Sequence, residues 1–228
     1  LPSLRATENI QAAEVAYRKL LELSVTNWVK LVADAPAERL EVIGFKTGDG
    51  GGVDPFWDVW QANQMDADSH LVHETALVTG QAFVMVWPNA GGSVTITPEH
   101  PSQMIVQYSP GSQRRRLFAL KSWAEGDREL ANLFDAENLW KFERVKDRWE
   151  PRHDAEDWPI VHGLGDVPVV EFRANPSLRP APYGGGRSEM APVISIQDRI
   201  NRTIFQRLLT AEFSSFPQRW ISGIEIDH

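Results

Sequence analysis

The sequence predicts an α+β protein with a helical N-terminal part, a mostly antiparallel β body and one long C-terminal helix. Three observations carry this reading. Between Val193 and Ala211 apolar residues recur at spacings of three and four, which is one face of an α-helix. Between Gly80 and Phe172 the period changes to two, with turn chemistry separating the runs. Near the start, Ile10, Ala13, Tyr17, Leu20 and Leu21 fall along one side of an amphipathic helix.

In chain order, residues 7–23 are expected to be helical with Thr7 as a cap, and Trp28 to Val32 to form a second helix that Ala35-Pro36 breaks. Leu40 to Phe45 alternates with β-branching and predicts a short strand, and GDGGG at 48–52 a flexible loop. Asp54-Pro55 opens a helical pair. Phe56, Val59 and Trp60 belong to the first helix, Leu71, Val72, Leu77 and Val78 to the second, and Gly80 closes it at C′. QAFVMVW at 81–87 reads as a buried strand, turned by Asn89 to Gly92 into its hairpin partner SVTIT. Further strands are expected over 103–108, 117–123 and 139–145, with turns at Ser109-Pro110-Gly111 and Gly126-Asp127. Trp87, Trp123, Trp140 and Trp149 are expected to pack the sheet, and Val167 to Phe172 to be its last strand, with Pro168 at the entrance.

A Pro/Gly-rich connector, 175–187, delivers the chain to the long helix, 188–216. Ser188 and Glu189 supply capping chemistry, Pro192 fits the first turn, and Pro217 ends the pattern. A second apolar row, Phe205, Leu209, Phe213 and Phe216, widens the lower half, so this helix needs partners in its own chain or in other copies. Beyond it, PQRWISGIEI alternates as an edge strand in search of a partner.

Composition narrows the function. The chain has 228 residues, no cysteine and a net charge of −8, so disulfides and thiolate metal sites are excluded, and the basic excess of a nucleic-acid grip is missing. No apolar run reaches the length of a membrane span, and the opening Leu1-Pro2 reads as part of a longer chain. The cluster Asp66, Asp68, His70, His73 and Glu74 is the one metal-like constellation, but SHLVHE lacks the HExxH order of a zinc hydrolase, and a polar helix surface accounts for it. Arg114-Arg115-Arg116 reads as a solvated hairpin end rather than a phosphate contact, and Gly184-Gly185-Gly186 lacks the Lys-Ser/Thr of a phosphate cradle. No enzyme, metal or cofactor is expected.

Three stretches together carry a family resemblance: the helix-to-strand run from Glu74 to Val86, the VPVVEF strand, and Ile196-x-Asp198-x-x-Asn201 on the long helix. Across essentially the whole chain the order of such pieces resembles the portal proteins of tailed bacteriophages, in particular those infecting actinobacteria. The resemblance implies a homo-oligomeric ring, usually of twelve copies, at the capsid vertex of the virion, assembled in the host cytoplasm. Double-stranded DNA passes through its channel without sequence-specific binding, and terminase, capsid or scaffold and head–tail adaptor proteins dock on it. It implies a wing-like body over 1–174, a stem helix over 188–216 and the start of a clip over 217–228, with the returning stem helix, tunnel loop and crown beyond this sequence. It also places the oligomer interface or channel on Asp198, Asn201, Arg202, Phe205, Leu208 and Leu209. Two other classes stay open: a metal-dependent hydrolase or nuclease using Asp66 to Glu74, and a monomeric interaction module.

Overall fold

A computed structural model describes residues 2–46, 55–112, 114–152, 158–176 and 185–214. The glycine loop at 48–52 and the alternating stretch at 217–226 lie outside the described residues. The chain divides into two compact units, Leu1–Leu31 with Pro192–His228, and Val32–Ala191.

The Val32–Ala191 unit is a sheet between a helix and a second sheet. Helices α3 (Pro55–Ala62) and α4 (Met65–Thr79) lead into β1 (Gln81–Pro88), which pairs antiparallel with β2 (Val94–Glu99) and with β9 (Val169–Arg173). The six-stranded sheet runs β3 (Met104–Tyr108), β4 (Arg116–Glu125), β5 (Arg128–Phe134), β6 (Asn138–Val145) and β7 (Arg148–Pro151), with β8 (Ile160–Val161) on β6. Because β1 is buried on both sides, its residues are apolar without alternation. Ala82 and Val84 pack with Val72 and Ala76 of α4, whereas Phe83 joins Met104, Ala119, Phe134 and Leu139 of the other sheet.

Two carboxylates flank Phe83 across this small sheet, since Phe83 pairs with Glu99 on one side and Glu171 on the other. Glu99 is 7% exposed, and Lys121 of β4 meets it at 2.5 Å. Glu171 takes a bond from Arg173 at 2.8 Å, and the Arg173 guanidinium lies 4.6 Å from the centre of the Tyr108 ring. Burial, reinforced by Glu171, pushes the Tyr108 hydroxyl up to about 12. Glu99 and Glu171 therefore each have a partner, without which burial would be costly.

Several expectations need correction. Leu40 to Phe45 is not a strand. Phe45 stacks on Phe56, Trp57 and Trp60 of α3, and a helix surface offers no ladder for a strand to join. Leu71 is 52% exposed, and the buried row of α4 is Met65, Ser69, Val72 and Ala76. Trp149 is 46% exposed and does not pack the sheet, whereas Trp87 stacks edge-on against Phe134. Strands β5, β7 and β8 were not expected. Asp135 makes the turn between β5 and β6 by accepting the N–H groups of Glu137 and Asn138 at 2.8 and 2.6 Å. Those bonds hold its carboxyl below the usual range although burial acts to raise it.

Backbone hydrogen bonds hold the approach to the long helix. Gly80 ends α4 at φ 95°, and its carbonyl accepts the Ala174 N–H at 3.0 Å. The Arg187 N–H reaches the Ala174 carbonyl at 2.9 Å, and Glu189 N–H reaches that of Leu77 at 3.0 Å. A Cβ on Gly186 would stand 1.9 Å from the Gly80 oxygen, so the chain crosses there only as glycine.

Candidate oligomer interface on the long helix

The long helix, α5, spans Ala191–Ser214, starting three residues later than the expected 188. The reason is local. Glu189 N–H is held by Leu77, and Ser188 Oγ accepts the Met190 N–H at 3.1 Å in a turn ahead of the helix. Pro192 then falls in the first turn, where its missing N–H costs nothing. At about 1.5 Å per residue, 24 residues make a rod of about 36 Å.

In the unit Leu1–Leu31 with Pro192–His228, α5 is met by α1 (Pro2–Ser24) and by the connector that opens α2 (Trp28–Ala37). Asn27 starts α2 by accepting the Lys30 N–H at 3.2 Å. The contact with α5 is polar at its centre. Asn201 Oδ1 accepts the Thr26 N–H at 3.1 Å, the Thr26 hydroxyl at 2.8 Å and the Gln197 amide at 2.7 Å. Gln197 Oε1 in turn accepts the Trp28 N–H at 2.9 Å. Gln197 is 8% exposed, so this clamp is an internal one in which both amide oxygens are used. Below it, Phe205 meets Tyr17 edge-on, with ring centroids 5.2 Å apart.

Of the six residues expected on an interface or channel, Asn201 and Phe205 thus have partners within their own chain. Leu208 and Leu209 are half-buried, while Asp198 and Arg202 face solvent. The expected apolar row does not lie on the packed side. Ile196 is 44% exposed and Ile200 36%, and with Arg199, Thr203, Ile204 and Arg207 they line an open groove of about 390 Å³ along α5. Phe213 is 75% exposed near the end of the described helix. Sequence reasoning missed the Thr26–Gln197–Asn201 clamp. Its one sequence signal is the spacing of four between Gln197, Asn201 and Phe205, which marks a side of the helix distinct from the isoleucine row.

The other expected chemistry is distributed differently. Asp66 and His70 are exposed, and His73 is half-buried with its pKa lowered, chiefly by burial. Among the described residues no three His, Asp or Glu side chains come together as metal ligands. Arg116 is committed to the fold, donating to the Val169 carbonyl at 2.8 Å and pairing with Asp166, while Arg114 and Arg115 lie exposed at the hairpin end. Among the described residues no helix is long and apolar enough to cross a membrane.

The model of the family "Phage portal protein, SPP1 Gp6-like" matches residues 8–227. The portal protein of Mycobacterium phage D29 is 30% identical over 218 residues, which is 89% of this chain and 43% of that protein. The portal protein of Mycobacterium phage L5 is 29% identical over 217 residues, with the same shares of the two chains. The chain therefore spans less than half the length of these relatives.

Proposed function

Because the chain belongs to the SPP1 Gp6-like family of phage portal proteins, we propose that it is the wing and first stem helix of a ring at one vertex of a tailed-phage capsid. On this reading residues 1–174 are the wing-like body, 175–187 the connector, 188–216 the stem helix and 217–228 the start of the clip. The ring has twelve copies. Double-stranded DNA passes through it during packaging and ejection, and terminase and head–tail adaptor proteins dock on it. Assembly takes place in the host cytoplasm. The role is structural rather than catalytic.

One observation supports this beyond kinship: Ile196 and Ile200, one turn apart on α5, are exposed on a different side of the helix from Asn201 and Phe205. Contiguous exposed apolar surface on a long helix is characteristic of an association surface. On this reading the solvent-facing Asp198 and Arg202 and the half-buried Leu208 and Leu209, which lie on other sides of α5 than Ile196 and Ile200, also meet neighbouring copies or the channel wall. The charge is consistent with passage of DNA. Duplex DNA presents about one charge per 1.7 Å, and a basic sleeve would hold it still. This chain carries −8.

The test is native mass of the full-length protein with Leu208→Glu or Leu209→Glu. Each puts a charge where an interface would bury it, at a cost of several kcal/mol. The expected result is loss of the ring mass with circular dichroism unchanged. Rings of normal mass from both variants would refute the assignment of α5.

A further inference from the structure

The six-stranded sheet is apolar on both faces. On one, Met104, Ala119, Phe134 and Leu139 close the core with Phe83 of the small sheet. On the other, the strand register lines up Ile105, Leu120, Leu133 and Trp140, one each from β3, β4, β5 and β6. The next row on that face holds Ser122, Ala131 and Phe142, with Trp158 edge-on against Phe142. Neither buried cluster among the described residues includes the row from Ile105 to Trp140. Ile105 is 59% exposed, and Phe118, two residues from Leu120 on β4, is 40% exposed. An antiparallel sheet with one solvated face places polar residues there by alternation, and this face breaks that rule.

The size of the face and the layering of the unit select what fits it. Four strands span about 19 Å and two rows about 13 Å, on the order of 250 Å². Two separately folded proteins need about 800 Å² on each side to hold together, far more than this face offers. A segment of the same polypeptide needs much less, because its tether keeps it at an effective concentration of about millimolar. The same unit shows the form such a cover takes. Helix α4 lies on the outside of the small sheet, where its Val72 and Ala76 pack on Ala82 and Val84. The two sheets bury their other faces on each other, so the six-stranded sheet lacks the counterpart of α4. A helix crossing about 19 Å has about 13 residues, between three and four turns. The relatives have chain to supply it: the match covers 43% of the phage D29 and phage L5 portal proteins, so more than half of each lies outside it.

We propose that the outer face of the six-stranded sheet is the docking site of an amphipathic helix from the same polypeptide, outside residues 1–228, whose apolar stripe packs on Ile105, Leu120, Leu133 and Trp140. The helix is supplied by its own chain, so the assignment does not rest on ring assembly. Two readouts on the full-length protein test it. With p-benzoylphenylalanine in place of Phe118, irradiation should give a cross-link of single-chain mass on a denaturing gel. Peptide mapping should place that cross-link on a segment outside residues 1–228 whose apolar residues recur at spacings of three and four. Residues 1–228 contain no cysteine, so a single introduced thiol reports on its own site. Ile105→Cys should react with a maleimide about tenfold more slowly than Arg114→Cys at the exposed hairpin end, with each adduct located by peptide mass. Cross-links of double-chain mass would overturn the assignment and give the face to a neighbouring copy. Cross-links confined to residues 1–228, or none, would overturn it as well, and equal labelling of the two thiols would show the face to be open.

Discussion

Gly186 has the tightest surroundings of the described glycines. A methyl group there would meet the Gly80 carbonyl oxygen at 1.9 Å, with backbone on both sides and no flexible side chain to move. Gly186→Ala should lower the unfolding free energy by about 2–4 kcal/mol. Gly163→Ala, at φ 66° with open space around it, carries only left-handed strain of about 1–2 kcal/mol. Urea denaturation of the two variants compares them directly. His73 supplies a pH signature. Its folded pKa lies below the unfolded 6.5, so the fold takes up a proton less readily than the unfolded chain. The stability linked to His73 is whole above pH 6.5 and falls as pH drops from 6.5 towards the folded pKa. His73→Phe should flatten the unfolding curve against pH in that window, measured by thermal denaturation between pH 7 and 5. The sequence displays both residues, but Gly186 reads there as one of a loop's three glycines and His73 as one of a helix's polar residues. What distinguishes them is a neighbour far along the chain, and that is set by the tertiary fold.

At the scale of elements, local signals go furthest where one rule dominates. The span of α5 follows from its 3.6 period, Pro192 and the capping turn, and β1 follows from its unbroken apolar run. Strand β5 was missed because RELANLF begins with charges, which pair only across the sheet: Arg128 of β5 meets Glu143 of β6 at 2.7 Å. Leu40 to Phe45 has the alternation of a strand, but its Phe45 meets Phe56, Trp57 and Trp60 of α3, and a helix offers no ladder. The Glu99–Lys121 pair ties the two sheets, and its energetics are testable. Lys121→Met leaves Glu99 buried without its partner and should cost about 3–5 kcal/mol. The double variant Glu99→Leu/Lys121→Met should recover much of that loss in equilibrium unfolding. For the clamp, Asn201→Leu removes the acceptor of three donors, two of them from Thr26, and should cost about 2–4 kcal/mol. Hydrogen exchange at the Thr26 amide should rise in the same variant.

For the molecule as a whole, kinship and surface chemistry point the same way. The chain belongs to a portal family, and α5 uses one side for its own unit through Gln197, Asn201 and Phe205 while leaving Ile196 and Ile200 uncovered. That division was only half legible in the sequence. The apolar row announces a helix with unmet partners, but which side its own chain takes depends on a polar clamp that hydrophobic periodicity does not reveal. Negative-stain imaging of the full-length protein beside its Ile196→Glu/Ile200→Glu variant tests the central claim most directly. The account predicts rings with a central hole from the unaltered protein and dispersed particles from the variant. Dispersed particles from the unaltered protein, or intact rings from the variant, would contradict it.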